Sequence, residues 1–244
     1  MICKNCGQKF DGNYCNNCGQ NSNVEKIDFK YLLIEIPNSI FQLNSGFLFT
    51  VKELFTRPGH SIRQFLKGKR KQHFKPLAFV FLASTLYVIS TYLLGKNTFL
   101  SEIISGITDG LNNDNSTELS TTNFLKWLAN NHEYATLIFL PFFSLASYLA
   151  FIKSKYNYFE HLVLNFYVTG QQMIIHLIFS FVLLKDNYLQ GIPVIIGVLF
   201  TFWTFYQFFD TKKFYTKIFL TFIAYIYFII QIIIFIVGIV LIGK

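Results

Sequence analysis

The chain has 244 residues, of which 52% are hydrophobic, 19% aromatic and only 14% charged, with 30 phenylalanines and a formal net charge of +8. Soluble domains carry about 25% charged residues, so this chain lacks the polar surface needed to dress a globule in water. That excludes an ordinary soluble enzyme and points to an all-α integral membrane protein.

The first stretch, MICKNCGQKFDGNYCNNCGQN, holds two C-x-x-C pairs, Cys3 with Cys6 and Cys15 with Cys18, each followed by Gly-Gln. Two thiolates two residues apart can grip one ion from a tight turn. Gly7 and Gly19 supply the backbone freedom that lets amides point at sulfur. Two such knuckles complete a closed tetrahedral site, so residues 1–21 are expected to form a zinc ribbon around one structural zinc. Phe10 and Tyr14 are about all the core this knot has, which leaves the metal to supply most of its folding energy. Two disulfides are the alternative, but no signal-peptide pattern is present and a reducing compartment is expected. A redox pair fits one C-x-x-C, and iron fits the same four sulfurs; the paired, glycine-marked repeat favours zinc. Lys4 and Lys9 against Asp11 make too small a positive field for nucleic acid. A protein partner, or packing on the following arm, is expected instead.

Residues 22–76 read as an amphipathic basic arm. Leu32, Ile36, Ile40, Leu43 and Phe47 recur at helical spacing, and Pro37 should start a second piece. Val51, Leu54 and Phe55 continue the apolar face until Arg57-Pro58-Gly59, after which Ser61 is expected to cap a short helix carrying Ile62, Phe65 and Leu66. Such helices either lie in the membrane interface or pack on the ends of the spans. The arm ends with Arg63, Lys67, Lys69, Arg70, Lys71 and Lys75. Each would gain about 1 kcal/mol beside anionic headgroups. Their main expected role is to hold the N-terminus inside, with headgroup contact as its consequence.

Crossing the hydrocarbon takes roughly 20 apolar residues. Within residues 77–244 five stretches are expected to span: 77–94, 134–152, 162–184, 189–209 and 218–242, with 95–133 as an external segment. In that segment Phe99, Ile103, Ile107 and Leu111 have helical spacing and DGLNNDNSTELSTTN reads as loop. A cytoplasmic N-terminus places 12 basic residues of 1–76, with Lys153, Lys155, Lys212, Lys213 and Lys217, on the inside. Those are 17 of the 21 basic residues, as the positive-inside rule requires. Five spans then leave the C-terminus outside.

The third span carries His161, Asn165, Thr169, Gln172 and His176, spaced by four, four, three and four. At about 100° per residue they share one face, and polar groups facing lipid are costly, so this face should point into the bundle. Interhelical hydrogen bonding, with Thr204, Gln207 and Gln231 as expected partners, is favoured over a proton or solute path, because no buried charge backs the histidines.

Taken together, the two C-x-x-C-G knuckles, Thr56-Arg57-Pro58-Gly59, Arg63, Gly68-Lys69-Arg70, Pro76-Leu77 and Tyr158-x-Glu160-His161 resemble the bacterial zinc-ribbon membrane family catalogued as domain of unknown function 3667. The resemblance implies a multi-pass protein of the bacterial inner membrane and brings no catalytic residue with it. The five-span layout is also similar to Yip-type membrane proteins, an analogy of fold only. With no Ser/His/Asp order and no phosphate-cradling loop in the sequence, the expected function is a non-enzymatic scaffold or accessory protein. Its zinc-stabilised cap would recruit partners or contact anionic lipid. The alternative is a small-solute or ion/proton permease using the polar face of the third span.

Overall fold

The computed structural model describes residues 1–24, 26–31, 46–98, 101–106, 120–182, 191–210 and 213–242. Its named helices are α1 (Gly46–Thr56), α2 (Pro58–Leu66), α3 (Pro76–Leu93), α4 (Ser120–Asn130), α5 (His132–Ala150), α6 (Tyr158–Val182), α7 (Ile192–Phe208) and α8 (Phe214–Ile242). Ahead of them sits a small ribbon with isolated antiparallel bridges, Ile2 to Lys9 and Tyr14 to Asn21.

Local chemistry sets the boundaries. Arg57 is pushed out of the helical region (φ −151°, ψ 60°) by Pro58, which itself opens α2. Gly68 (φ +106°) and Gly95 (φ +61°) close α2 and α3 in the left-handed conformation. Asn157 and Glu160 form a reciprocal capping box at the start of α6: Asn157 N–H donates to Glu160 Oε2 at 2.8 Å, and Glu160 N–H to Asn157 Oδ1 at 2.9 Å.

α6 is the central post, packed by α1, α2, α3, α5 and α7. A Cβ on its Gly170 would come within 2.5 Å of the Phe79 ring of α3, so glycine permits that close crossing. The main core joins Phe65, Phe79, Tyr167, Phe205 and Phe208 with Ile27, which lies before the arm helices. Asn157 Nδ2 donates to the Ile27 carbonyl at 3.2 Å and pins that segment to the start of α6.

Among the described residues three helices are long and apolar enough to cross a membrane: Pro76–Leu93, Tyr158–Val182 and Phe214–Gly238. The second and fourth expected spans appear as shorter apolar helices, Tyr134–Ala150 and Ile192–Phe208. At 1.5 Å per residue each covers only about 26 Å, short of a ~30 Å hydrocarbon core. The apolar run therefore overstated them, because Phe151 and Phe209 already belong to the turns that follow.

The arm departs from expectation at one point. Pro58, not Ser61, opens α2; Ser61 lies inside the helix, fully buried, with its hydroxyl 2.8 Å from His73 Nε2. Of the two placements expected for the arm helices, α1 and α2 take the packed one, against α6 and α7. The expected helical face at Leu32, Ile36, Ile40 and Leu43, and the break at Pro37, lie outside the described residues. In the segment expected to be external, residues 101–106 are helical. There Ile104 is buried against Leu128 and Ala135 while Ile103 is 42% exposed. α4 begins inside the stretch expected to be loop.

Candidate metal centre and intramembrane polar face

Four sulfurs converge at the N-terminus. The Sγ atoms of Cys3, Cys6, Cys15 and Cys18 all lie within 4.8 Å of one another, and all four cysteines are free. Cys3 and Cys18 are 3.6 Å apart and Cys6 and Cys15 3.7 Å. A tetrahedron with metal–sulfur bonds of ~2.3 Å has edges of about 3.8 Å, so the set is compatible with one metal ion. The two knuckles repeat one geometry. Cys3 N–H donates to the Gln8 carbonyl and Gly7 N–H to that of Cys3, as Cys15 N–H does to Gln20 and Gly19 N–H to Cys15. Gly7 (φ +78°) and Gly19 (φ +70°) are left-handed, where a side chain would strain.

Backbone amides tune the thiols. The N–H of Gln8 holds Cys6 down at about 6, and that of Cys6 lowers Cys3, whereas burial pushes Cys18 up to about 11. Thiolates are the ligating form, and the same amides that lower Cys3 and Cys6 would shield a metal-bound sulfur. Phe10 is buried, but Tyr14 is 64% exposed; the knot's apolar core is smaller than expected, because the bridge to Asn21 turns that ring outward.

The second knuckle is joined to the arm. Gln20 is buried, and its Nε2 donates to the Gly68 carbonyl at 2.7 Å. Its Oε1 accepts from Arg70 N–H and Lys71 N–H, each at 3.2 Å. Gln8, at the equivalent place in the first knuckle, is exposed. The sequence reading passed over Gln20; the repeated Gly-Gln was its one signal.

The basic cluster splits three ways. Lys67, Lys69 and Lys71 are exposed, and Lys75 is half-buried just ahead of α3. Arg70 is engaged by rings, 4.5 Å from the Tyr31 centroid and 5.4 Å from that of Phe65. Arg63 does not reach for headgroups: it is buried, donates to the Phe208 carbonyl at 3.2 Å, pairs with Asp210 and contacts His60. Lys217, also buried, donates to the Tyr206 carbonyl at 2.8 Å. These two cations cap the C-terminus of α7, where unsatisfied carbonyls and the helix dipole favour positive charge. Burial lowers His73 beside Ser61, and burial together with Arg63 and Arg57 lowers His60.

The five polar residues of α6 fall into two environments. His161 and Asn165 are fully buried. Ser147 Oγ lies 3.0 Å from His161 Nδ1, and Asn165 Nδ2 donates to Ser147 Oγ at 2.9 Å and to Ser144 Oγ at 3.3 Å. Further along, Gln172 Nε2 donates to the Gly197 carbonyl and to Thr201 Oγ1, both at 2.9 Å. Thr169, Gln172 and His176 line a cavity of about 310 Å³, and the His176 ring sits 5.4 Å from that of Tyr87. The partners are thus Ser144, Ser147 and Thr201 rather than the residues expected. Thr204 Oγ1 and Gln231 Oε1 are buried with no hydrogen-bond partner among the described residues, and Gln207 Oε1 accepts instead from Gly59 N–H at 3.2 Å. Serines three apart on α5 were the missed signal, too small for a hydropathy scan to register.

Residues 44–88 match the family described as Protein of unknown function (DUF3667). No curated protein and no solved structure matches the chain. The match bears out the resemblance where the quoted motifs fall within it, and the structure gives several of those residues a packing role. Arg57 pairs with Glu53 at 2.7 Å, Pro58 opens α2, and Gly59 lets α2 meet α7 so closely that a Cβ would collide with the Phe208 backbone. Arg63 caps α7, Gly68 receives Gln20, and Arg70 stacks on two rings. The DUF3667 segment is the clamp that fixes the ribbon to the helices.

Proposed function

We propose that this chain is a non-enzymatic scaffold of the bacterial inner membrane. It crosses five times, with the ribbon cytoplasmic and the C-terminus outside, and it displays a zinc-stabilised cap that recruits a cytoplasmic protein and rests against anionic headgroups. The observation that carries this reading is the Gln20 contact. It makes the ribbon and the loop bearing Lys67, Lys69 and Lys71 one unit. The opposite side of the ribbon stays open, with Met1, Ile2 and Tyr14 each more than 60% exposed. Zinc suits four thiolates in a closed set better than the harder divalent ions. Counting the two shorter apolar helices as crossings rests on local thinning of the bilayer, which costs fractions of a kcal/mol per Å.

The permease reading asks for a continuous polar path; at the ribbon end of the α6 face His161 Nδ1 and Asn165 Nδ2 are engaged with Ser144 and Ser147, while His161 Nε2 and Asn165 Oδ1 have no partner among the described residues. Hydrogen bonding of that kind supports packing. The test is site-specific photocrosslinking in intact cells from Ile2 and Tyr14, with Tyr92 at the far end of α3 as control. A single defined protein captured from the ribbon positions, absent from Tyr92 and lost in Cys15→Ser, supports recruitment. No capture, together with pH-dependent flux in liposomes, would overturn it in favour of the permease.

A further inference from the structure

Two hollows flank α6 and α7, and they differ in chemistry. One, of about 370 Å³, is lined by Phe55, Ile178, Leu199 and Trp203 among others, all apolar. A crevice of that sort takes any lipid chain. The other, of about 310 Å³, lies between α5, α6, α7 and α8 in the half of the bundle away from the ribbon. Its apolar walls include Phe139, Phe143, Val198 and Phe228, but five polar side chains also face it: Thr136, Thr169, Gln172, His176 and Tyr225.

The polar groups are arranged, not scattered. Gln172 spends both amide protons on Gly197 and Thr201, which leaves its Oε1 as an acceptor. Thr201 Oγ1 donates to the Gly197 carbonyl at 3.1 Å, and the Tyr225 side chain lines the same hollow. Thr169, one turn from Gln172 on the same face, brings a hydroxyl. An acceptor and a hydroxyl three residues apart match a group that both donates and accepts. Among the described residues no Asp, Glu, Lys or Arg lines the cavity, so a charged head would find no ion-pair partner among them and be buried at high cost. One wall, α8, presents Ile226, Ile229 and Ile230 outward at 46–55% exposure, which places the site beside lipid. Its volume falls at the lower end of ligand pockets, ~300–1,000 Å³.

We infer that this cavity binds a neutral, hydroxyl-bearing lipid, its hydroxyl held between Gln172 Oε1 and Thr169 and its chain lying along the phenylalanines of α5 and α8. The inference stands apart from the cap's role and requires no transport.

The test uses the full chain in phosphatidylcholine nanodiscs with three photoactivatable probes sharing one long alkyl chain: the alcohol, the alkyl sulfate and the plain hydrocarbon. The alcohol should label residues 169–176 saturably, about tenfold above the sulfate, which pays for an unpaired charge, and above the hydrocarbon, which gains no hydrogen bond. The hydrocarbon should label the apolar crevice at least as well as this cavity. Thr169→Val keeps the shape and removes the hydroxyl, and should weaken alcohol labelling about fivefold, the size of one net hydrogen bond. Val198→Phe, which fills the hollow, should abolish it. Equal labelling by alcohol and hydrocarbon would make the cavity another chain crevice and overturn the inference. So would unchanged alcohol labelling in Thr169→Val with an unchanged melting temperature, a variant that settles the matter even if Val198→Phe fails to assemble.

Discussion

The two halves of the helical bundle are built differently. Toward the ribbon, backbones touch and polar groups are drawn into the packing: Gly59 against Phe208, Arg63 and Lys217 on the end of α7, and His161 and Asn165 on two serines, although His161 Nε2 and Asn165 Oδ1 are buried with no partner among the described residues. The Phe151 and Phe209 rings stack there with centroids 3.9 Å apart. Away from the ribbon the packing loosens. A Cβ at Gly191 or Gly238 would meet nothing within 4 Å, and the 310 Å³ hollow lies there. Interhelical contact in lipid is driven by close packing and hydrogen bonds rather than by the hydrophobic effect. The tight half therefore holds the architecture, and the loose half is free to hold something else.

The harshest way to break this comparison is to take the metal from the tight end. One metal per chain is expected by elemental analysis, and Cys15→Ser or a strong chelator should unfold the ribbon, since a structural zinc site supplies ~10–16 kcal/mol. The helices hold their own contacts and should remain inserted. Hydrogen exchange would then rise across residues 1–24 and in the 67–71 loop, while α6 stays protected. Exchange spreading into α6 would mean that the ribbon supports the bundle, contrary to the separation drawn here.

Gly59→Val comes next. Its side chain has no room beside the Phe208 backbone, and overpacking of that kind costs roughly 1–3 kcal/mol or more. Gly191→Ala, in the loose half, should be nearly silent. Melting in detergent compares the two directly, and similar losses would erase the difference between the halves.

On α6 itself, Asn165→Leu removes two hydrogen bonds, although Ser144 and Ser147 still donate to the Leu140 and Ser144 carbonyls, whereas His176→Leu borders a cavity. The first should lower stability by about 1–3 kcal/mol and the second by less. The reverse order would place the structural burden at the cavity end and weaken the case for a binding site there.

How much of this was legible beforehand depends on which residues carry the signal. The cysteine knuckles and the polar stripe of α6 were readable because ligand spacing and helical period are local properties of the chain. The partners of that stripe were not: Ser144 and Ser147 register on no hydropathy scale, and choosing them over Thr204 and Gln231 requires the rotation of α5 against α6. Arg63 misled because a charge in a basic run looks solvated until the neighbouring helix brings it carbonyls. The arm's close fit was hidden for a similar reason, since Gly59 reads as a breaker when Pro58 precedes it. Span lengths were overstated because apolar residues continue into turns that are themselves buried, as Phe151 and Phe209 do.

The smallest expected effect probes the seam between ribbon and bundle. Gln8 and Gln20 occupy the same place in two copies of one motif, so replacing each by Ala changes the same atoms in different surroundings. Gln8→Ala should have no measurable effect, its side chain being exposed. Gln20→Ala removes one donor and one doubly used acceptor from a buried contact, leaving the Gly68 carbonyl and two backbone N–H groups without it. Water can reach part of that seam, because Lys69 and Lys71 are exposed beside it, so the cost should be nearer 1 kcal/mol than the 3 of a sealed site. Metal stoichiometry should stay at one, since every ligand remains. What should change is mobility, with faster exchange at residues 68–71 and easier proteolysis between ribbon and arm. If the two variants behave alike, the ribbon is tethered by its chain alone, and the tight half of the molecule begins at α1 rather than at the metal.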